Sequence, residues 1–235
     1  RAQFPYYYRN PEGMPQEAAL DYYLNSIKDV FEQCGPADSI AAIVVEPLQG
    51  EGGFIPAPIE WVKAVRKICD ENGILLVADE VQTGFCRTGR MFARQYWEEA
   101  GVQPDILATA KSIAAALKTI EIMERDDLAG RSCEIGEKVS KRFNEWKEKY
   151  PVIGDVRGLG GMIGLEFVKD QESKEPYPEF SAAVIKGCAQ KGLMIEGAGT
   201  YGNVIRFLAP LVMTDEQLEA GLDIYESVIK ELLEK

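Results

Sequence analysis

A short strand, a helix and a second short strand follow one another within residues 40–78, and this order is the strongest constraint on the fold. The β-branched run 40–45 and the apolar run 74–78 each have the length and composition of a buried strand. Between them, apolar residues at helical spacing extend over 61–71 and stop at Asn72-Gly73, a typical helix C-terminus. A helical connection of this kind joins parallel strands, so the sequence predicts an α/β protein with a mostly parallel sheet covered by helices.

The rest of the chain also alternates between helices and strands. The further predicted elements are helices over 15–34, 114–146 (where Gly130 blurs the pattern) and 181–191, strands at 104–109, within 152–168 and near Leu193 and Val204, and a last helix that starts at the capping box Thr214-Asp215-Glu216-Gln217. The pattern changes after the long helix. We therefore expect a partial large domain over 1–148 and a small α+β C-terminal domain over 149–235.

The chain contains no histidine, which limits the chemistry available to it. Ser-His-Asp and Cys-His nucleophiles and every histidine-containing metal site are excluded, and we expect no metal centre.

The formal net charge of the chain is −12, whereas a nucleic-acid-binding surface is positively charged. The most apolar run, 39–45, is far shorter than the roughly 20 residues that cross a bilayer, and no signal peptide opens the chain. We expect a cytoplasmic protein that binds neither nucleic acid nor membranes.

The cysteines are odd in number and widely scattered, and none are spaced as Cys-x-x-Cys. This usage is typical of reduced thiols rather than of a disulfide framework or a zinc cluster. We expect buried or half-buried thiols at Cys34, Cys69, Cys86, Cys133 and Cys188.

Polar residues directly after the predicted strands are the first candidates for chemistry, because ligands of open α/β sheets bind at the carboxyl ends of the strands. Glu46, Asp79-Glu80 and Lys111 occupy such positions. A carboxylate there is costly to desolvate without a cation, so Asp79 either faces a positively charged group or caps a loop or pairs with Arg87. Lys111 lies among small residues, where burial would lower its pKa and make it a Schiff-base nucleophile. The alternative is an ordinary solvated lysine.

Other motifs give weaker indications. The run 74–80 resembles a Walker B strand, but the sequence has no G-x-x-x-x-G-K-[ST] motif to bind the phosphates. The glycines of 158–161 lack the third glycine of a dinucleotide-binding loop, because Ile163 stands there, and we interpret them as a turn between closely packed strands. The carboxylates Glu46 and Glu51 would suit glycoside hydrolysis, although their spacing does not single them out.

Several segments occur in an order that resembles the class III (omega) aminotransferases, fold-type I enzymes that use pyridoxal 5′-phosphate. These segments are Glu46-Pro47-Leu48-Gln49-Gly50-Glu51-Gly52-Gly53, Ala78-Asp79-Glu80-Val81-Gln82-Thr83-Gly84-Phe85-Cys86-Arg87-Thr88-Gly89, Pro104-Asp105, Ala110-Lys111-Ser112, Arg157-Gly158-Leu159-Gly160 and Val204-Ile205-Arg206-Phe207-Leu208-Ala209-Pro210. The resemblance covers nearly the whole chain. It implies part of a fold-type I large domain followed by that family's small C-terminal domain.

The resemblance implies that four residues bind the cofactor. Lys111 would bind pyridoxal 5′-phosphate covalently and, once displaced by substrate, transfer the proton. Asp79 would face the pyridine nitrogen and keep it protonated, so that the ring accepts electrons. Val81 would pack on the face of the ring, and Gln82 would hydrogen-bond its phenolic oxygen.

For the substrate, the resemblance implies a pocket of three residues. Arg206 would bind a substrate carboxylate in a bidentate fork. Glu51 would neutralise Arg206 when the substrate offers no carboxylate there and would swing away for a 2-oxo acid. Glu46 would line the same pocket.

The activity implied by the resemblance is the transfer of an amino group from an ω-amino acid such as 4-aminobutyrate to a 2-oxo acid such as 2-oxoglutarate. The expected partners are these small substrates and further copies of the chain, in a homodimer or a dimer of dimers. The alternatives are an acetylornithine or ornithine aminotransferase, an aminomutase or a racemase of the same family, or an inactive truncated relative.

The sequence departs from the family in two respects. Cys86 stands where the family usually has glycine, and we expect a packing substitution rather than a reactive thiol. The family also has an N-terminal loop for the cofactor phosphate, and a Gly-Leu-Pro turn and a Gly-Gly-Thr segment after the lysine. Here 114–117 continues directly into a helix. We expect the protein to contain these stretches in addition to the 235 residues.

Overall fold

A computed structural model describes residues 1–11, 13–109 and 113–234 of the chain. The helices are α1 (Gln16–Gln33), α2 (Ile59–Asn72), α3 (Arg94–Glu99), α4 (Ile113–Arg125), α5 (Leu128–Lys149), α6 (Pro178–Gln190) and α7 (Asp215–Leu233). The strands are β1 (Ala42–Val45), β2 (Leu48–Gln49), β3 (Ile55–Pro56), β4 (Leu75–Asp79), β5 (Ile106–Ala108), β6 (Ile153–Leu159), β7 (Met162–Phe167), β8 (Glu196–Ala198) and β9 (Val204–Leu208).

The first sheet is parallel, with the strand order β1-β4-β5, and this confirms the prediction of an α/β fold. Helix α2 connects β1 to β4 and ends at Gly73, which takes the left-handed conformation (φ +67) that favours glycine. One face of the sheet packs with α1 and α2, where Trp61 and Val65 share a core with Leu76. The opposite face exposes apolar side chains, among them Val44, which is 63% exposed.

The second sheet is antiparallel, with the order β6-β7-β9-β8. Its core includes Phe167 and Ile205 from the strands and Tyr225 from α7. Helix α5 supplies Phe143 and Trp146 to the same core, so this helix packs with the C-terminal sheet. The prediction of a small α+β unit at this end matches the observed elements. The boundary after residue 148 remains a prediction.

The long helical segment predicted over 114–146 consists of two helices, α4 and α5. The break lies at Asp126-Asp127 rather than at Gly130. Asp127 adopts a left-handed conformation (φ +44), and its side chain accepts a hydrogen bond from the backbone N–H of Gly130. An aspartate that caps a new helix therefore separates the two, and Gly130 belongs to the first turn of α5.

Gly160 and Gly161 form the turn between β6 and β7, and Gly158 lies in β6 next to it, which confirms the interpretation of these glycines as a turn between closely packed strands. Gly160 has φ +51, and a Cβ atom there would lie 2.3 Å from the carbonyl carbon of Thr88. On its other side, a Cβ atom on Gly136 of α5 would lie 2.0 Å from the carbonyl oxygen of Gly160. The turn is thus packed backbone to backbone between α5 and the loop that follows β4.

Glu226 of α7 accepts hydrogen bonds from basic and phenolic groups. Burial raises its pKa, but the hydrogen bonds from Lys149, Tyr150, Lys230 and Arg142 outweigh burial and lower the pKa to about 2. The stabilisation from ionised Glu226 is complete above its ordinary pKa of 4.5 and is lost as the pH falls towards 2. Between pH 4.5 and pH 2, we expect the unfolding free energy of wild type to fall by about 1 to 2 kcal/mol more than that of Glu226→Gln. Urea denaturation at pH 7, 4.5, 3 and 2 measures this, and parallel pH profiles would contradict it.

The cysteines are all unpaired. Cys69, Cys86 and Cys188 are buried and Cys133 is partly buried, as predicted. The prediction is wrong for Cys34, which is exposed because it follows the last turn of α1, where the chain leaves the helix. In the part of the chain that the structure describes, no helix combines the length and apolar composition needed to cross a membrane.

Candidate active site

Two carboxylates lie at one edge of the parallel sheet. Asp79 is the last residue of β4, and Glu46 directly follows β1, its neighbour in the sheet. Asp79 is half-buried, and its Oδ1 accepts a hydrogen bond from the backbone N–H of Val81 at 3.1 Å. Arg87, the alternative partner of Asp79, instead donates to the carbonyl oxygen of Ala209 at 2.9 Å. Asp79 thus caps its own loop through Oδ1.

Glu80 points to the opposite side and is completely buried. Its carboxylate accepts hydrogen bonds from the Thr83 hydroxyl at 2.9 Å and from the backbone N–H groups of Ala93 and Arg94 at 2.7 and 2.6 Å. Burial raises the pKa of Glu80, and these hydrogen bonds act in the opposite direction. Glu80 therefore fixes the start of α3 to the end of β4 and holds the intervening loop, which carries Val81 and Gln82.

The same loop contains consecutive residues in the left-handed conformation, Phe85 (φ +60) and Cys86 (φ +67). Glycine adopts this conformation without strain, which is consistent with the glycine that the resemblance implies at position 86. The Cys86 side chain is only 1% exposed and belongs to the core around the second sheet. Burial raises the pKa of its thiol, so the reactive thiolate is disfavoured.

Glu51 contacts both Gln82 and Arg206. Glu51 lies in the turn between β2 and β3, and Arg206 lies on β9 of the second sheet. Glu51 Oε1 accepts hydrogen bonds from Arg206 Nη1 at 2.6 Å and from Gln82 Nε2 at 3.0 Å. Both hydrogen bonds lower the pKa of Glu51, and the one from Arg206 has the larger effect. The structure thus brings together three residues, of which the first and the last, Glu51 and Arg206, are 155 positions apart in the sequence.

Glu46 lines the same region. Its Oε2 accepts a hydrogen bond from the backbone N–H of Gly50 at 3.0 Å. Burial, followed by the negative charges of Asp79 and Glu51, raises the pKa of Glu46, whereas the Gly50 N–H lowers it. Glu46 is therefore protonated more easily than Glu51.

Two features of the site are not identified by the sequence analysis. Glu196 of β8 also binds Arg206, with its Oε2 2.7 Å from Nη2 and 3.1 Å from Nε. Glu166 of β7 is buried and accepts hydrogen bonds from Arg157 and Arg9 at 2.7 and 2.6 Å. An acid inside an apolar strand, the signal used for Asp79, could have identified Glu166. The pairing of Glu196 with Arg206 has no local signal.

Arg157 links the buried cluster to the candidate site. Its Nε donates a hydrogen bond to the carbonyl oxygen of Gly53 at 2.9 Å, in the turn that carries Glu51. The carbonyl oxygen of Glu51 itself accepts a hydrogen bond from the Gly199 N–H at 2.9 Å. The position of the Glu51 backbone is therefore set by the second sheet.

Lys111 lies outside the described residues. In sequence it follows Ala108, the register partner of Asp79 in the sheet, by three residues. The strand that precedes Lys111 is therefore the direct neighbour of the strand that ends on Asp79.

Comparison with known proteins identifies the family to which this α/β chain belongs. A family model described as Aminotransferase class-III matches residues 2–116 and 112–229. The chain belongs to the class III aminotransferase family. The two matched segments meet just after Lys111, where the sequence departs from the family pattern.

Named relatives and solved structures agree with this assignment. The chain is 37% identical over 265 residues to a probable 4-aminobutyrate aminotransferase of Bacillus subtilis, with 98% of this chain and 60% of that protein covered. It is 39% identical to the 5-aminovalerate aminotransferase DavT of Pseudomonas putida, with 91% and 58% covered. An amine transaminase structure from an uncultivated Pseudomonas species in its PLP-bound form superposes with a TM-score of 0.84 at 28% identity, with 97% and 60% covered. The chain spans about 60% of the length of the curated relatives it matches, and racemases also occur among these relatives.

The described residues fit a planar cofactor with a protonated ring nitrogen. Asp79 offers a carboxylate at the sheet edge, and the adjacent Val81 is an apolar side chain that is 57% exposed. Gln82 Oε1 is buried and has no hydrogen-bond partner among the described residues. A carboxylate and an apolar surface side by side are suited to the nitrogen and the face of pyridoxal phosphate, and the unpaired amide oxygen can accept a hydrogen bond from a hydroxyl group on its ring.

Proposed function

We propose that the protein is a pyridoxal-phosphate-dependent aminotransferase that moves an amino group from an ω-amino acid such as 4-aminobutyrate to a 2-oxo acid such as 2-oxoglutarate. The observation that carries this proposal is the ion pair between Arg206 Nη1 and Glu51 Oε1 at 2.6 Å, linked by Gln82 to the loop after Asp79. The similarity to 4-aminobutyrate and 5-aminovalerate aminotransferases supports the donor class. A cytoplasmic homodimer, or a dimer of dimers, is part of the same proposal.

When bound, pyridoxal phosphate supplies an electron-accepting ring for negative charge that develops on the substrate carbon. Asp79 would accept a hydrogen bond from the ring nitrogen and hold the proton there, because a nearby carboxylate favours the charged form of a base. Val81 would cover one face of the ring, and the Gln82 amide would bind its oxygen. Lys111 would hold the cofactor covalently and then take up and return the substrate proton at Nζ.

The Arg206 and Glu51 pair would allow one pocket to accept both substrates. An ω-amino acid presents no carboxylate next to its reacting carbon, and Glu51 then stays on Arg206 and neutralises it. A 2-oxo acid presents a carboxylate at this position, which would displace Glu51 and bind the guanidinium. The 71% exposure of the Glu51 side chain is compatible with such a movement.

A labelling and turnover experiment tests the proposed function. We expect the purified protein to bind pyridoxal phosphate with a visible absorbance, and borohydride reduction to trap the cofactor on Lys111, as shown by peptide mass spectrometry. With 4-aminobutyrate or 5-aminovalerate and 2-oxoglutarate, we expect glutamate to form, and Lys111→Ala should form none. An unmodified Lys111 would contradict the proposal. Interconversion of D- and L-amino acids without glutamate formation would indicate a racemase, a class that occurs among the relatives.

A further inference from the structure

Arg206 contacts two carboxylates at once, and they bind different parts of the guanidinium. Glu51 takes Nη1 at 2.6 Å, whereas Glu196 takes Nη2 at 2.7 Å and Nε at 3.1 Å. A single guanidinium thus faces two acids, and this cluster carries more negative than positive charge. Arg206 is mostly buried, with 17% of its side chain exposed, so these contacts dominate its surroundings.

The two carboxylates differ in how their backbones are held. Glu196 is the cross-strand partner of Arg206 in the antiparallel pair of β8 and β9, so the ladder keeps both side chains on one face. Glu51 instead lies in a turn, between Gly50 and Gly52. Displacement of Glu51 can occur by side-chain rotation in this turn, whereas the ladder keeps the Glu196 backbone opposite Arg206 and its carboxylate within reach of the guanidinium.

We propose that Glu196 is a specificity-determining residue that weakens the binding of the carboxylate of the 2-oxo acid acceptor to Arg206. This inference rests on the proposed function. After Glu51 leaves, Glu196 still neutralises the guanidinium and still occupies its Nε and Nη2 edge. The incoming carboxylate therefore meets an arginine that is already paired, and Nη1, which Glu51 has left, is the nitrogen that can donate hydrogen bonds to it. The ω-amino donor, which places no carboxylate here, is insensitive to Glu196.

The variant Glu196→Gln separates charge from position. A glutamine oxygen can still accept the hydrogen bonds from Nη2 and Nε, so Arg206 stays oriented while the negative charge is removed. We expect the KM for 2-oxoglutarate to fall about twofold to fivefold, the effect of one exposed charge pair. The KM for 4-aminobutyrate should stay unchanged. The matched control is Glu231→Gln, which removes an exposed carboxylate of α7 that pairs with Lys191 and has no contact with Arg206.

A binding measurement makes the result independent of turnover. Isothermal titration calorimetry of the pyridoxal-phosphate-bound protein with 2-oxoglutarate should show a dissociation constant that is also about twofold to fivefold lower in Glu196→Gln than in wild type and in Glu231→Gln. If no glutamate forms with any donor but the dissociation constant falls as expected, the proposed function fails and the role of Glu196 stands. An unchanged or higher constant in Glu196→Gln, or no binding by either protein, would overturn the inference.

Discussion

Replacing Asp79 with asparagine is expected to lower the rate of amino transfer at least about 100-fold, because a charged partner is removed from a partly buried position. The asparagine oxygen can still accept the hydrogen bond from the Val81 N–H, the contact that Asp79 Oδ1 makes at 3.1 Å. The loop should therefore keep its conformation while the ring nitrogen loses the charge that holds its proton. Steady-state kinetics with 4-aminobutyrate and 2-oxoglutarate measures the loss.

A cofactor analogue provides the control for this variant. If the role of Asp79 is to hold a positive charge on the ring, an analogue with a methylated and permanently charged ring nitrogen should restore part of the activity of Asp79→Asn. Thermal unfolding should show a Tm close to that of wild type. A variant that retains more than about a tenth of the wild-type rate would contradict the role given to Asp79.

Replacing Glu80 with alanine is expected to cause the largest loss of stability of any substitution at the sheet edge, about 3 to 5 kcal/mol. The side chain is completely buried, and its removal leaves the N–H groups of Ala93 and Arg94 and the Thr83 hydroxyl without their acceptor. Glu80→Gln keeps one acceptor oxygen and should lose less, about 1 to 2 kcal/mol. Urea denaturation at pH 7 measures both variants.

Limited proteolysis reports on the loop that Glu80 fixes. Trypsin cleaves after arginine, and Arg87 and Arg90 lie in this loop, so Glu80→Ala should be cut there faster than wild type. Glu99→Ala, an exposed residue of α3 that pairs with Arg90 at 3.0 Å, is the matched control and should change unfolding free energy by no more than about 0.5 kcal/mol. Equal unfolding free energies and equal cleavage rates for Glu80→Ala and wild type would show that Glu80 does not hold the loop.

The parallel part of the fold could be predicted from the sequence because its signals are local. Apolar runs of strand length, a helical repeat and a terminal glycine at position 73 lie within 40 residues of one another, and the observed sheet pairs β1 with β4 as predicted. The sequence does not predict the break between α4 and α5 because the capping ability of Asp127 depends on its left-handed backbone, which composition does not reveal. Helix α3 was not predicted because it is only six residues long.

The candidate site was only partly predictable, for a related reason. Asp79 and Glu46 are revealed by their place after apolar runs, and Arg206 and Glu51 were named through the family resemblance. The second carboxylate on Arg206 depends on the register between β8 and β9, which pairs Glu196 with Arg206. Such non-local pairing is set by the packing of the whole sheet, and no local pattern around Glu196 indicates it.

The backbone contact at Gly160 has a consequence for motion. The turn it forms is wedged between Thr88, in the loop after β4, and Gly136 of α5, with no side chain to act as a compressible layer. A movement that pressed the antiparallel sheet towards the loop after β4 would drive these backbones into each other, so motion in that direction is blocked at this point. Under the proposed function, the change between the two substrates would need only rotation about the side-chain bonds of Glu51, which for an exposed side chain takes picoseconds to nanoseconds.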